Sequence, residues 1–194
     1  MRKASISRNT NETKIQLQLN LDDAKPGSIR SGSAFLDHML HLFQVHGGNS
    51  LDLNCDGDVE IDMHHSIEDI GIVLGEALKE ALGDKKGIER YGFYYVPMDE
   101  ALARVCLDFS NRIGFVWNVK LNSPYVGGID ASLFEHFFKS VAENARMNLH
   151  IELFYSSDNH HALEAIFKAF ARALAMAKSP SQNIKGIPST KGLL

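Results

Sequence analysis

Cysteine is nearly missing from this chain: Cys55 and Cys106 are the only two, and no CxxC spacing joins them. A disulfide framework is therefore not expected, and a reducing, cytoplasmic setting is the simpler expectation. Basic runs are missing too. The 20 Lys and Arg are scattered among 24 Asp and Glu, leaving a net charge of -4. Neutralising nucleic-acid phosphates takes a basic patch, so no nucleic-acid partner is expected. No apolar stretch approaches the roughly 18 residues of a membrane span. The opening MRKASISRNTNETKIQL has no apolar segment behind its charges, so neither a membrane nor a secretory leader is expected. What is present is 44% apolar and 23% charged residues, enough for a proper core in one or two domains.

The chain repeats itself. Residues 62–69 read DMHHSIED and residues 158–165 read DNHHALEA, so Asp-x-His-His-x-x-Glu occurs twice. HHSIEDIGIVLGEALKEA (64–81) lies against HHALEAIFKAFARALAMA (160–177). Upstream, FLDHML (35–40) lies against LFEHFF (133–138), setting Asp37 and His38 opposite Glu135 and His136, with one short indel before the second helix. Self-similarity of this kind marks a duplicated structural unit. The expected division is a first half over 1–86, a second half over 87–178 and an extended C-terminal tail over 179–194, all forming one catalytic unit. In each half, alternating segments such as ASISRN and TKIQLQLNL predict strands. A first helix is predicted from Ser33 to about His46, or Ala131 to about Asn148. A strand near 50–55 or 149–155 follows, and then a second helix, His64–Leu82 or His160–Lys178. The expected fold class is α+β: two ferredoxin-like halves, each one antiparallel sheet backed by two helices.

Four of the nine histidines sit in the two repeated motifs. On a helix, residues four apart share a face and adjacent residues diverge by about 100°. His64 therefore points with Glu68 and His160 with Glu164, while His65 and His161 point elsewhere. Imidazole and carboxylate at this spacing suit a borderline divalent cation. The repeated candidates divide into two sets of three His and one Glu: His38, His65, His160 and Glu164, and His64, Glu68, His136 and His161. Four protein ligands leave positions open for substrate on a six-coordinate ion. His41, His46 and His150 have no repeated partner and are expected to be surface or hydrogen-bonded residues.

With those motifs in hand, the chain closely resembles the imidazoleglycerol-phosphate dehydratases, lyases of histidine biosynthesis. The likeness runs through RNTNET (8–13), FLDHML, DMHHSIEDIGIVLGEAL (62–78), GIERYG (87–92), VPMDEALA (96–103), HHALEAIFKAFARAL (160–174) and PSTKG (188–192). Departures from the family pattern fall at SNRIG (110–114) and YSSDN (155–159). The resemblance implies halves like domain 2 of ribosomal protein S5, and two Mn2+ ions per subunit at sites shared between subunits. It also implies self-assembly into trimers and an octahedral 24-mer.

The implied reaction is dehydration of D-erythro-1-(imidazol-4-yl)glycerol 3-phosphate to 3-(imidazol-4-yl)-2-oxopropyl phosphate. Cations that draw the substrate ring toward imidazolate would let it expel the adjacent hydroxyl through a diazafulvene-like intermediate. Glu12, in RNTNET, matches the family's substrate-contacting glutamate and is the expected acid/base. The expected catalytic set is Glu12, His38, His65, Glu68, His160 and Glu164. The phosphate dianion calls for cations and donors, and the resemblance points to Arg90, Arg112, Lys168, Ser189 and Lys191. Asp69, Asp99 and Glu100 are candidate partners behind the ligands. A dinuclear metal hydrolase and a metal-storage protein are the competing classes.

Overall fold

A computed structural model describes residues 1–194. The first half runs β1 (Lys3–Asn9), β2 (Thr13–Asn20), β3 (Ile29–Arg30), α1 (Ala34–Gly47), β4 (Ser50–Gly57) and α2 (His64–Leu82). The second half runs β5 (Tyr91–Met98), β6 (Ala101–Asp108) and β7 (Gly114–Asn118). A small hairpin of β8 (Tyr125–Val126) and β9 (Ile129–Asp130) follows, then α3 (Leu133–Ala145), β10 (Asn148–Tyr155) and α4 (Asn159–Lys178). The sheets have matching strand orders, β1-β2-β4-β3 and β5-β6-β10-β7. Two similar four-stranded sheets backed by helices are what the duplication predicted.

Strand alternation places Thr13, Ile15, Leu17 and Leu19 of β2 inward, as it does Ala101, Ala103, Val105 and Leu107 of β6. The expectation of purely antiparallel sheets needs correcting. β3 pairs parallel with β4, and β7 parallel with β10. In each half the chain leaves one strand, crosses over through a helix and returns to the neighbouring position, and such a crossover makes a parallel pair. Alternation reveals a strand but not its direction. α3 is also shorter than predicted. Asp130 ends β9 and accepts the Ser132 N–H at 2.9 Å, so the helix begins only afterwards. It stops at Arg146, whose φ of 52° is left-handed, and Asn148 already belongs to β10.

The helices are shared between the halves. α2 packs on β1 and β2, and α4 on β5 and β6, but α1 packs against α4 and α3 against α2. Two glycines let α2 and α3 approach closely: a Cβ on Gly71 would stand 2.7 Å from Phe137 O, and one on Gly75 2.7 Å from Val141 O. Gly92 of β5 likewise lies where a Cβ would strike the Ala173 carbonyl of α4. Phe134, Phe137, Phe138, Phe167 and Phe170 fill the centre of one continuous apolar core. The tail folds back on the linker between halves, where Ser181 N donates to Gly87 O and Gly87 N to Gly186 O. No helix is long and apolar enough to cross a membrane.

Candidate functional site

The acidic residue opening each repeated motif is a helix-start device. Asp158 accepts the N–H groups of His160 and His161 at 2.6 and 3.3 Å, and Asp62 accepts that of His64 at 2.7 Å. Free N–H groups at a helix start need such acceptors. Asp158 is the N-cap of α4, whereas the N-cap of α2 is Met63 and Asp62 holds the first helical N–H from one residue further back; both fix the first turn, and that turn presents the histidines.

Cross-half helix packing then assembles one compact trio and a looser counterpart. α1 brings His38 to α4, where His38 Nε2 lies 2.8 Å and His160 Nε2 3.1 Å from Glu164 Oε1. The ligand atoms of these three residues all fall within 4.8 Å of one another. Donors around a cation with bonds of about 2.2 Å stand about 3 to 4.4 Å apart in octahedral geometry, so the set fits a divalent ion. α3 brings His136 to α2, with the His64 and His136 rings 5.2 Å apart and His64 Nε2 3.8 Å from Glu68 Oε2. Burial raises the Glu164 carboxyl, but Lys168, His38 and His160 outweigh it and hold the group down to about 2. It is thus an anion ready to ligate at neutral pH.

His65 and His161 stand outside both trios. Each ring diverges from its neighbour, as adjacency on a helix requires; the His160 and His161 planes are 87° apart. His65 Nδ1 donates to Asp58 and His161 Nδ1 to Glu100, at 2.9 and 2.8 Å. These bonds raise both imidazoles above their ordinary value and pull Glu100 down to about 2. Within one chain, then, His38, His160 and Glu164 converge, His64 stands near both Glu68 and His136 in a looser counterpart, and the fourth predicted ligand of each set lies apart.

Glu12 lies at the β1–β2 turn, with its carboxylate 3.7 Å from His65 Nε2. Asp69 is buried, accepting from Thr13 Oγ1 at 2.6 Å and pairing with Arg8 at 2.9 Å. Of the predicted phosphate ligands, Lys168 Nζ donates to Glu164 Oε2 at 2.5 Å. Arg90 is buried, held by both Asp108 oxygens, and donates to Pro188 O, which draws the tail carrying Ser189 and Lys191 beside it. Arg112 and Lys191 are exposed. His41 bonds the Asp37 carbonyl; His46 is held low by burial, Lys168 and Arg172; and His150 is exposed on β10.

Asp58 was missed from the sequence. Five acids lie between 52 and 62, and nothing in their spacing singles it out. A cavity of about 610 Å³ lined by Glu76, Lys79, Lys85 and Arg146 contains none of the ligands. The trios lie instead at the surface, with His38, His136 and His160 exposed.

A duplicated α+β scaffold with a surface His/His/Glu trio on each cross-half helix pair defines a class of metal-competent proteins. Comparison with known proteins narrows it. The imidazoleglycerol-phosphate dehydratase family model matches residues 31–174. Imidazoleglycerol-phosphate dehydratases of Oceanobacillus iheyensis and Streptococcus mutans are 52% and 50% identical, each over the whole of both chains. Crystal structures of the dehydratases of Staphylococcus aureus and Pyrococcus furiosus superpose with TM-scores of 0.84 and 0.85, at 43% and 35% identity. They cover 92% and 97% of this chain and 99% and 100% of theirs. The chain belongs to the imidazoleglycerol-phosphate dehydratase family, a family of hydro-lyases.

Proposed function

We propose that this protein dehydrates imidazoleglycerol phosphate to the imidazolyl oxopropyl phosphate ketone, using two manganese ions held between copies of the chain. The observation that carries this reading is the compact His38, His160 and Glu164 set with its looser counterpart around His64, each accompanied by a histidine that turns away from its own chain's ligands. His65 of one copy completes the His38, His160 and Glu164 set of another, and His161 completes the set of His64, Glu68 and His136. Copies joined in this way form trimers and, through both kinds of site, the octahedral 24-mer. When bound, the cations supply Lewis acidity that makes the substrate ring electron-rich.

The remaining work falls to the chain's own side chains. Glu12 travels with His65, since its carboxylate lies 3.7 Å from His65 Nε2. It therefore arrives at the shared site beside the substrate's glycerol carbons. There, as the acid, it gives a proton to the hydroxyl next to the ring, which departs as water, and as the resulting carboxylate it then takes the proton from the carbon bearing the retained hydroxyl. The enol that results tautomerises to the ketone. Lys168, Arg112, Ser189 and Lys191 hold the phosphate, and Arg90 anchors the tail that carries two of them. Fixing the phosphate at one distance from the ligand sets aligns the reacting carbons.

The test is turnover of imidazoleglycerol phosphate with added manganese, following ketone formation. Glu12→Gln should lower kcat about 10²- to 10⁴-fold, the usual worth of a positioned acid or base, with bound metal unchanged. A near wild-type rate would remove Glu12 from the mechanism. Release of free phosphate in place of ketone would favour a dinuclear hydrolase.

A further inference from the structure

The two histidines outside the trios share a feature that the trio histidines lack. His65 Nδ1 lies 2.9 and 3.2 Å from the two Asp58 oxygens, and His161 Nδ1 lies 2.8 Å from Glu100 Oε2. His38, His64 and His160 meet carboxylates through Nε2 instead. A carboxylate can only accept, so in His65 and His161 the hydrogen sits on Nδ1 and the lone pair is left on Nε2. On that outward side the nearest carboxylates, Glu12 and Asp99, are 3.7 Å away, beyond hydrogen-bond range.

Both acceptors are themselves held. Glu100 Oε1 accepts the Asp158 N–H at 3.0 Å and Ser156 Oγ at 3.4 Å. Asp58 donates its own N–H to Glu12 O at 3.1 Å, which fixes the backbone from which its carboxylate projects. The two acids come from different places in the repeat. Asp58 follows β4, whereas Glu100 closes the β5–β6 hairpin. The same contact has thus been built twice from non-equivalent positions, so it is not a passive relic of duplication.

We propose that Asp58 and Glu100 are positioning residues: each fixes the tautomer and the aim of a histidine that this chain contributes to a metal held by another copy. The proposal rests on the shared-site reading above. An acceptor behind a ligating imidazole locks the ring and strengthens its lone pair, and losing one costs about 10- to 100-fold in metal affinity. Ordinary exposed ion pairs, by contrast, would leave metal affinity unchanged.

Full-length Asp58→Ala and Glu100→Ala should separate these. In the presence of chelator both should unfold close to the wild type. Both should bind manganese about 10- to 100-fold more weakly and need correspondingly more of it to assemble, as read by light scattering. Asp58→Asn and Glu100→Gln keep an oxygen for Nδ1–H and should recover most of the affinity. Alanine variants with wild-type affinity and assembly would overturn the proposal. So would amide variants that fare no better than alanine while unfolding earlier in chelator, which marks a merely structural role. Wild-type protein that binds no manganese, or assembles indifferently to it, would overturn the shared-site reading together with this one. A normal wild type beside unaffected alanine variants sinks only the present inference.

Discussion

Asp69 shows how one side chain serves the chemistry without touching it. Its two oxygens tie the first turn of α2, which carries His64, His65 and Glu68, to Thr13 and Arg8 at the hairpin that carries Glu12. Asp69→Ala should cost about 1–3 kcal/mol, below the figure for a fully buried pair because the Arg8 side chain is a third exposed. It should also slow turnover by letting Glu12 drift from His65, as urea unfolding and a steady-state assay would show. An unchanged melt with unchanged kcat would refute the coupling. At this scale the sequence was most informative where residues repeat. His38, His64, His136, His160, Glu68 and Glu164 stand out because each has a counterpart. Asp58 does not, because its opposite number in the second half comes from another loop, and only the folded chain brings that loop to His161.

Elements differ in how plainly they announce themselves. α2 and α4 carry long periodic faces, and their predicted limits agree with the structure to within a residue. β3 has two residues and β7 only five, too few to show a period, and their parallel pairing depends on the path of the helix between strands. The close approach of α2 and α3 makes a sharper claim. A Cβ on Gly75 would meet Val141 O, Asn144 Cβ and Ala145 N at 2.7 to 2.9 Å, and two of these are backbone atoms that cannot rotate aside. Gly75→Ala should push α3 outward, cost about 1–3 kcal/mol as overpacking does, and spread His136 from His64 and Glu68. On the proposed stoichiometry of two ions per chain, metal content should then fall toward one, with the His38, His160 and Glu164 set retained. Two ions still bound, by elemental analysis after dialysis, would show that the glycines serve packing alone.

Across the whole molecule the halves are pinned together at Lys178. This residue is buried near the end of α4, and its ammonium donates to Leu21 O, Gly48 O and Asn49 Oδ1, all in the first half. Burial pushes its pKa down to about 8 from 10.5. Between those values the unfolded chain holds more proton, so this residue adds to stability as pH rises through that window. Below about pH 8 both states are charged and its contribution is level. Lys178→Met orphans three acceptors and should be less stable by about 1–3 kcal/mol at neutral pH. The gap to wild type should widen between pH 8 and 10.5; a constant gap in urea melts would deny the titration. The ligand sets have a historical corollary, since each takes one imidazole from one half of the chain and two ligands from the other half. Neither half could drift out of helical step without disturbing the ligand set it shares with the other. What has drifted is bulk: β2 buries Ile15, Leu17 and Leu19 where β6 buries Ala103, Val105 and Leu107, while α4 carries Phe167 and Ala171 where α2 has Gly71 and Gly75. Descent has redistributed volume between layers and left the angular phase of the helices untouched.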